Sequence, residues 1–218
     1  MKKGFEIAAD LTEVAVKSQL LTGIAKDIPY VSTLLKVWNL TDSIRDRMFA
    51  AKVMRFLESL DDVTGKEREE MSDKIKYLNQ EDLDNVTDKI LFCIESITDI
   101  DKAEFIANLF IAYIYKNISE NELRRCIDIV QITFLDDLKH YVTTHLSSQY
   151  LTEEDLFLCG VDGLINTPIL APFRDDNRFQ SLSDRDKFGK GLFKESAIGV
   201  KLKSAFEYGK RTRQYENV

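Results

Sequence analysis

The chain has 218 residues, a net charge of −7, and 44% hydrophobic and 31% charged side chains. That is room for one substantial hydrophobic core in a protein of ordinary globular composition. The acidic balance argues against nucleic acid as a partner of the whole surface, and nine glycines with three prolines favour helices over a many-turned β fold.

In chain order, mixed apolar and charged residues at helical spacing predict a first helix over about 4–22, ended by Gly23. "DIPYVSTLLKVWNL" follows, with Asp27 placed to cap and Pro29 in the first turn. Val31, Leu34, Leu35 and Trp38 mark its apolar face. The next stretch carries Phe49, Val53, Phe56 and Leu60 in one stripe. Thr64 with Glu67, Asp101 with Glu104, Ser119 with Glu122 and Thr152 with Asp155 each set a capping oxygen three residues before an acid, which marks four helix starts. The apolar stripes between them are Met71, Ile75 and Leu78; then Leu83, Val86, Ile90, Ile94 and Ile97; then Leu123, Ile127, Val130, Phe134, Leu138 and Tyr141, read as one long stripe.

"FIANLFIAYIY", residues 105–115, is apolar on nearly every side. A helix of that kind belongs at the centre of a bundle. Its 11 residues fall short of the roughly 20 that span a bilayer. No secretory leader is expected either, because Glu6, Asp10 and Glu13 interrupt the apolar run that one would need.

Enzyme signatures are missing. His140 and His145 point about 140° apart on a helix and cannot chelate one metal together. Neither GxxxxGK[ST], GxGxxG nor GxSxG occurs. "DDNRFQSLSDRD" lacks the glycine and closing glutamate of a calcium loop. Cys93, Cys126 and Cys159 are odd in number and far apart, and read as reduced thiols of a cytoplasmic protein. No catalytic residue, metal or cofactor is expected.

After Thr152 the chain reads "EEDLFLCGVDGLI". Leu156 and Cys159 anchor a short helix, Gly163 supplies a positive-φ turn, and Leu164 with Ile165 begin a strand. "GLFKES" is a returning strand, and Ser196 caps a last helix that buries Ile198, Leu202 and Phe206. This order resembles the end of a winged-helix domain. The expected fold is therefore mainly α: a helical bundle over 1–150 around a central buried helix, plus a winged-helix-like α/β element with a basic tail over 151–218.

Charge divides the same way. Residues 171–218 hold 11 Lys/Arg against 7 Asp/Glu, and residues 1–170 hold 19 against 30. "GVDGLI", "KESAIGVKL" and the helical body together resemble bacterial and prophage proteins of the Abi-alpha abortive-infection type. That resemblance implies a role in phage defence or mobile-element conflict and carries no catalytic residue with it.

The leading expectation is a non-enzymatic helical interaction protein that binds a protein partner or itself, with Tyr30, Leu34, Leu35 and Trp38 as an apolar contact face. The second reading is a nucleic-acid-binding regulator. Arg185, Lys187, Lys190, Lys194, Lys201, Lys203, Lys210, Arg211 and Arg213 would then meet phosphates, although the helix before the hairpin carries Glu153, Glu154, Asp155 and Asp162 and no cation. The third is a membrane-acting effector through amphipathic residues 14–40.

Overall fold

The computed structural model describes residues 27–28, 44–62, 65–146, 151–173 and 192–214. Within them the chain is mainly helical with one small sheet. Six helices come first: α1 (Ile44–Asp61), α2 (Gly65–Lys76), α3 (Gln80–Ser96), α4 (Lys102–Ile114), α5 (Glu120–Ile132) and α6 (Leu135–Thr143). Then follow β1 (Leu151–Thr152), α7 (Glu153–Leu158), a 3-10 turn (Asp162–Leu164), β2 (Leu170–Phe173), β3 (Leu192–Glu195) and α8 (Ala197–Gln214). The helix expected over 4–22, the face Val31, Leu34, Leu35 and Trp38, and the cap at Thr64 lie outside the described residues. Asp27 is described, and it accepts a hydrogen bond from Ser72 Oγ of α2 at 2.5 Å.

The uncharged run forms α4, and every residue of that helix except Glu104 is buried. Helices α1, α2, α5 and α8 pack around it. Phe56 of α1 meets Phe110 with ring centroids 6.0 Å apart, and Phe206 of α8 stacks on Phe105 at 4.4 Å. Each large apolar side chain removed from water here is worth about 1.5–3 kcal/mol. The expected central rod is therefore the molecule's structural axis. Apolar residues between Leu151 and Leu170 and between Phe193 and Phe206 join those of α1–α6 in a single cluster.

Three helix C-termini are closed by lysines from elsewhere in the chain. Lys52 of α1 donates to Glu95 O at 3.1 Å and to Ile97 O, at the end of α3. Lys102 of α4 donates to Gln131 O at 3.1 Å, at the end of α5. Lys203 of α8 donates to Thr144 O, the C-cap of α6. Neither α3 nor α5 has a basic residue in its own last turn. A borrowed ammonium satisfies carbonyls that a helix end leaves open and sits at the negative pole of its dipole. Burial lowers the pKa of Lys52 and Lys102.

The expected helix starts divide. Ser119 with Glu122 and Thr152 with Asp155 form complete capping boxes. Asp101 does not cap: its backbone is αR, and its carboxylate instead pairs with Lys139 at 3.4 Å. The long stripe through Phe134 is two helices. Thr133 and Phe134 are both extended, at ψ 142°, and Asp136 and Asp137 open a new first turn where acids favour a helix start. Phe134 is consequently 67% exposed rather than core.

In the C-terminal element the sheet is antiparallel, in the order β1-β3-β2. Its registers include Leu151↔Phe193 and Pro172↔Phe193. Pro172 is tolerated because β2 is an edge strand. The expected return strand and the Ser196 cap are present, with Gly199 N donating to Ser196 Oγ at 3.0 Å. Two expectations are corrected. Leu164 and Ile165 do not begin a strand, since the chain makes a 3-10 turn first and β2 starts at Leu170. The positive-φ glycine is Gly160, at φ 66°, not Gly163.

Cys93 and Cys126 are fully buried, and Cys159 is half-buried. Burial raises the Cys93 thiol from 9.0 to about 11 and the Cys126 thiol to about 12. The native state therefore keeps these protons where an unfolded chain loses them. Their contribution is complete below pH 9 and is lost progressively as pH rises from there to the folded values. Urea melts at pH 8 and pH 10 should differ by roughly 2–3 kcal/mol from these two groups together. Cys93→Ala/Cys126→Ala should lessen the fall by about that amount. An unchanged pH slope in the double variant would refute the assignment.

Candidate protein-interaction surface

The six-residue helix α7 carries "EEDLFL", and only one of its last three side chains can turn inward. Leu156 does and is completely buried. Phe157 and Leu158 are left 69% and 76% exposed. The capping box fixes where the helix starts: Asp155 N donates to Thr152 Oγ1 at 3.1 Å, and Thr152 N returns a bond to Asp155 Oδ2 at 2.8 Å. The Thr152 N–H, together with the Thr152 hydroxyl that donates to the same Oδ2 at 2.8 Å, holds the Asp155 carboxyl below its usual range.

Two glycines seat this helix and the turn after it on α6. Gly160 takes the left-handed conformation, and a Cβ there would come within 3.2 Å of His140 Nε2. Gly163 lies under the Asp137 carboxylate, where a Cβ would sit 2.8 Å from Cγ. Gly163 thus sits within the 3-10 turn at a close approach to the Asp137 side chain, without the positive φ expected of it.

The result is a groove of about 460 Å³ lined by Glu153, Glu154, Phe157, Asp162 and Ile165. Among the described residues its charged lining is entirely carboxylate. Burial, and then the neighbouring Asp162 and Asp136, push the Asp137 carboxyl above its usual range, with His140 opposing them. Negative charge is concentrated at this end of the molecule. A surface that pairs exposed aromatic and aliphatic side chains with carboxylates suits a partner that brings an apolar anchor flanked by cations. It repels phosphate.

The cations expected to meet nucleic acid are dispersed. Arg185, Lys187 and Lys190 lie outside the described residues, as do Tyr30, Leu34, Leu35 and Trp38 of the expected contact face. Lys194 is on β3, and Lys210 and Arg211 are exposed on α8. Lys201 pairs with Glu122 at 3.5 Å. Lys203 closes α6 and lies 5.3 Å from the Tyr141 ring centroid. Arg213 is internal, with a side chain only 7% exposed. Its Nε donates to Asn108 Oδ1 at 2.9 Å, and its Nη2 meets Glu104 Oε1 at 2.8 Å. Glu104 also receives Arg55 at 2.7 Å, so one carboxylate joins α1, α4 and α8.

Phe157 and Leu158 were not singled out by the sequence. The signal was present in three consecutive apolar residues on a helix too short to bury them all. Among the described residues no group of three or more His, Cys, Asp or Glu could hold a metal, and no helix is long and apolar enough to cross a membrane. No family model, curated protein or solved structure matches the chain.

Proposed function

We propose that this chain is a non-enzymatic interaction protein and that the α7 surface receives its partner. The observation that carries this reading is exposed Phe157 lining a groove whose charged lining, among the described residues, is carboxylate, with exposed Leu158 next to it in the chain. The partner presents an apolar side chain with Lys or Arg beside it. The setting, phage defence or mobile-element conflict, rests on the likeness of "GVDGLI" and "KESAIGVKL" to Abi-alpha-type proteins.

Phe157→Ser/Leu158→Ser should leave stability within about 0.5 kcal/mol of the parent, because both side chains already face water. The same variant should lose at least ten-fold in affinity for a partner captured by cross-linking in the native host. Glu153→Gln/Glu154→Gln should weaken binding chiefly at low salt, where charge attraction is least screened. A partner held equally by all three proteins would place the contact elsewhere.

A further inference from the structure

Among the described residues ten large apolar side chains stand exposed, and five of them, Met48, Phe92, Ile100, Ile132 and Phe134, gather around the C-terminal end of α3. Bonds between neighbouring elements place them there. Arg45, Met48 and Lys52 share one face of α1. Arg45 pairs with Glu95, and Lys52 donates to Glu95 O and Ile97 O, so Met48 is held beside the end of α3. Lys89, Phe92 and Ser96 likewise share one face of α3. Lys89 pairs with Asp128, and Gln131 Nε2 donates to Ser96 Oγ at 2.8 Å. Phe92 therefore lies along the seam with α5, and Ile132 is one helical turn past Asp128. The loop that follows α3 completes the face. Its Asp101 is 4.0 Å from Arg55 of α1 and 3.4 Å from Lys139 of α6, and the adjacent Lys102 reaches Gln131 O. Ile100 is thus central, and Phe134, at the bend between α5 and α6, forms an edge.

Area and charge indicate what covers this face. The five side chains are between 42% and 67% exposed. At roughly 200 Å² for a large side chain fully in water, they show about 600 Å² of apolar surface. A homodimer interface of standard size buries about 800 Å² on each partner, roughly 65% of it apolar, which is about 500 Å². The face supplies that amount, and patches of this size on a single chain mark contact sites. Its charges are of both signs. Arg45, Lys89 and Lys139 stand among the apolar residues, each paired with a carboxylate of the same molecule: Glu95, Asp128 and Asp101. These pairs offer a strongly basic or strongly acidic partner no field of one sign. A second copy turned about a two-fold axis brings the same mixture, so cation can face carboxylate across the contact. The α7 groove differs, because its carboxylates would repel their own copies.

We infer that this face joins two copies of the chain in a closed two-fold dimer, with Phe92, Ile100 and Ile132 at its centre and the ion pairs at its rim. The contact does not depend on the α7 surface. Helix α6 turns Lys139 toward the dimer face and Asp137 and His140 toward α7 and its following turn. Both grooves of a dimer therefore stay open to partners.

The test is sedimentation equilibrium of the full chain between about 1 and about 200 µM, with a reversible monomer–dimer equilibrium of Kd below about 100 µM expected. Phe92→Asp and Ile132→Asp should each weaken association at least ten-fold. Circular dichroism and the urea midpoint of the dilute variants should match the parent's, because both side chains already face water. Phe157→Ser/Leu158→Ser should leave the dimer intact, which separates this contact from the partner surface on α7. Four results would each overturn the assignment: a monomer at every concentration, association untouched by both aspartate variants, association lost with Phe157 and Leu158, or growth past the dimer. Phosphatidylcholine vesicles that sediment the parent but not the Phe92→Asp variant would assign the face to a lipid surface instead.

Discussion

Gly209→Ala is expected to destabilise the protein by about 3 kcal/mol, although the same change in an exposed helix would stabilise it by about 1 kcal/mol. Gly209 lies in the middle of α8 where that helix crosses α4. A Cβ at this position would stand 2.6 Å from Asn108 Cα and 2.7 Å from Asn108 C, and closer still to the carbonyl oxygen. These are backbone atoms of the most buried helix and have no rotamer in which to retreat. The whole of α8 would have to lift, which would separate Phe206 from Phe105 and draw Arg213 away from Glu104. Overpacking therefore outweighs the gain in helix propensity. Urea denaturation should show a lower midpoint at an unchanged slope. A midpoint equal to or above the parent's would mean that α8 does not approach α4 as described.

Arg213→Met should cost about 3 kcal/mol, the range found when one partner of a buried pair is removed. The loss falls mainly on Asn108, which is fully buried, whose Nδ2 already lacks a partner, and whose Oδ1 is met by Arg213. Glu104 suffers less, since Arg55 remains beside it and its side chain is 32% exposed. Adding Asn108→Leu should restore much of the stability, because an apolar pair strands no polar group. The experiment also decides between two roles. Were Arg213 a phosphate contact, its loss would leave the urea midpoint in place and lower the salt dependence of nucleic-acid binding by about one charge. The internal placement predicts the reverse.

These two residues show where sequence reasoning stops. The central helix was legible because 11 residues without a charge need no partner to be named before they are placed inside. The boxes at Ser119 and Thr152 were legible because both halves lie within four residues. Arg213 was read as a surface cation because its partners, Asn108 and Glu104, are about a hundred positions away and nothing local marks them. Lys52, Lys102 and Lys203 close helix ends that lie 45, 29 and 59 positions away from them in sequence. Nothing in the sequence marked Gly209, and Gly163 was read as a positive-φ turn, because close approach is a property of two elements together. Phe134 failed differently: its spacing suited the stripe, but the backbone turned at Thr133 and carried it outward. At the proposed interaction surface the carboxylates were recognised early as hostile to phosphate. The exposed Phe157 and Leu158 required knowing that α7 ends after six residues.

Because α8 forms one wall around α4, the order of synthesis has a physical consequence. A ribosome adding about 5–20 residues per second takes roughly 5–20 s to pass from the end of α4 to the end of α8. Throughout that interval a nascent chain holds Phe105 and its neighbours uncovered on one side, together with an Asn108 that has not yet met its arginine. Folding must wait for contacts more than a hundred residues apart in sequence, which is the slow kind to establish. The emerging polypeptide is then a natural client for a chaperone that shields apolar surface, and truncations within residues 197–214 should yield aggregates rather than a smaller stable bundle.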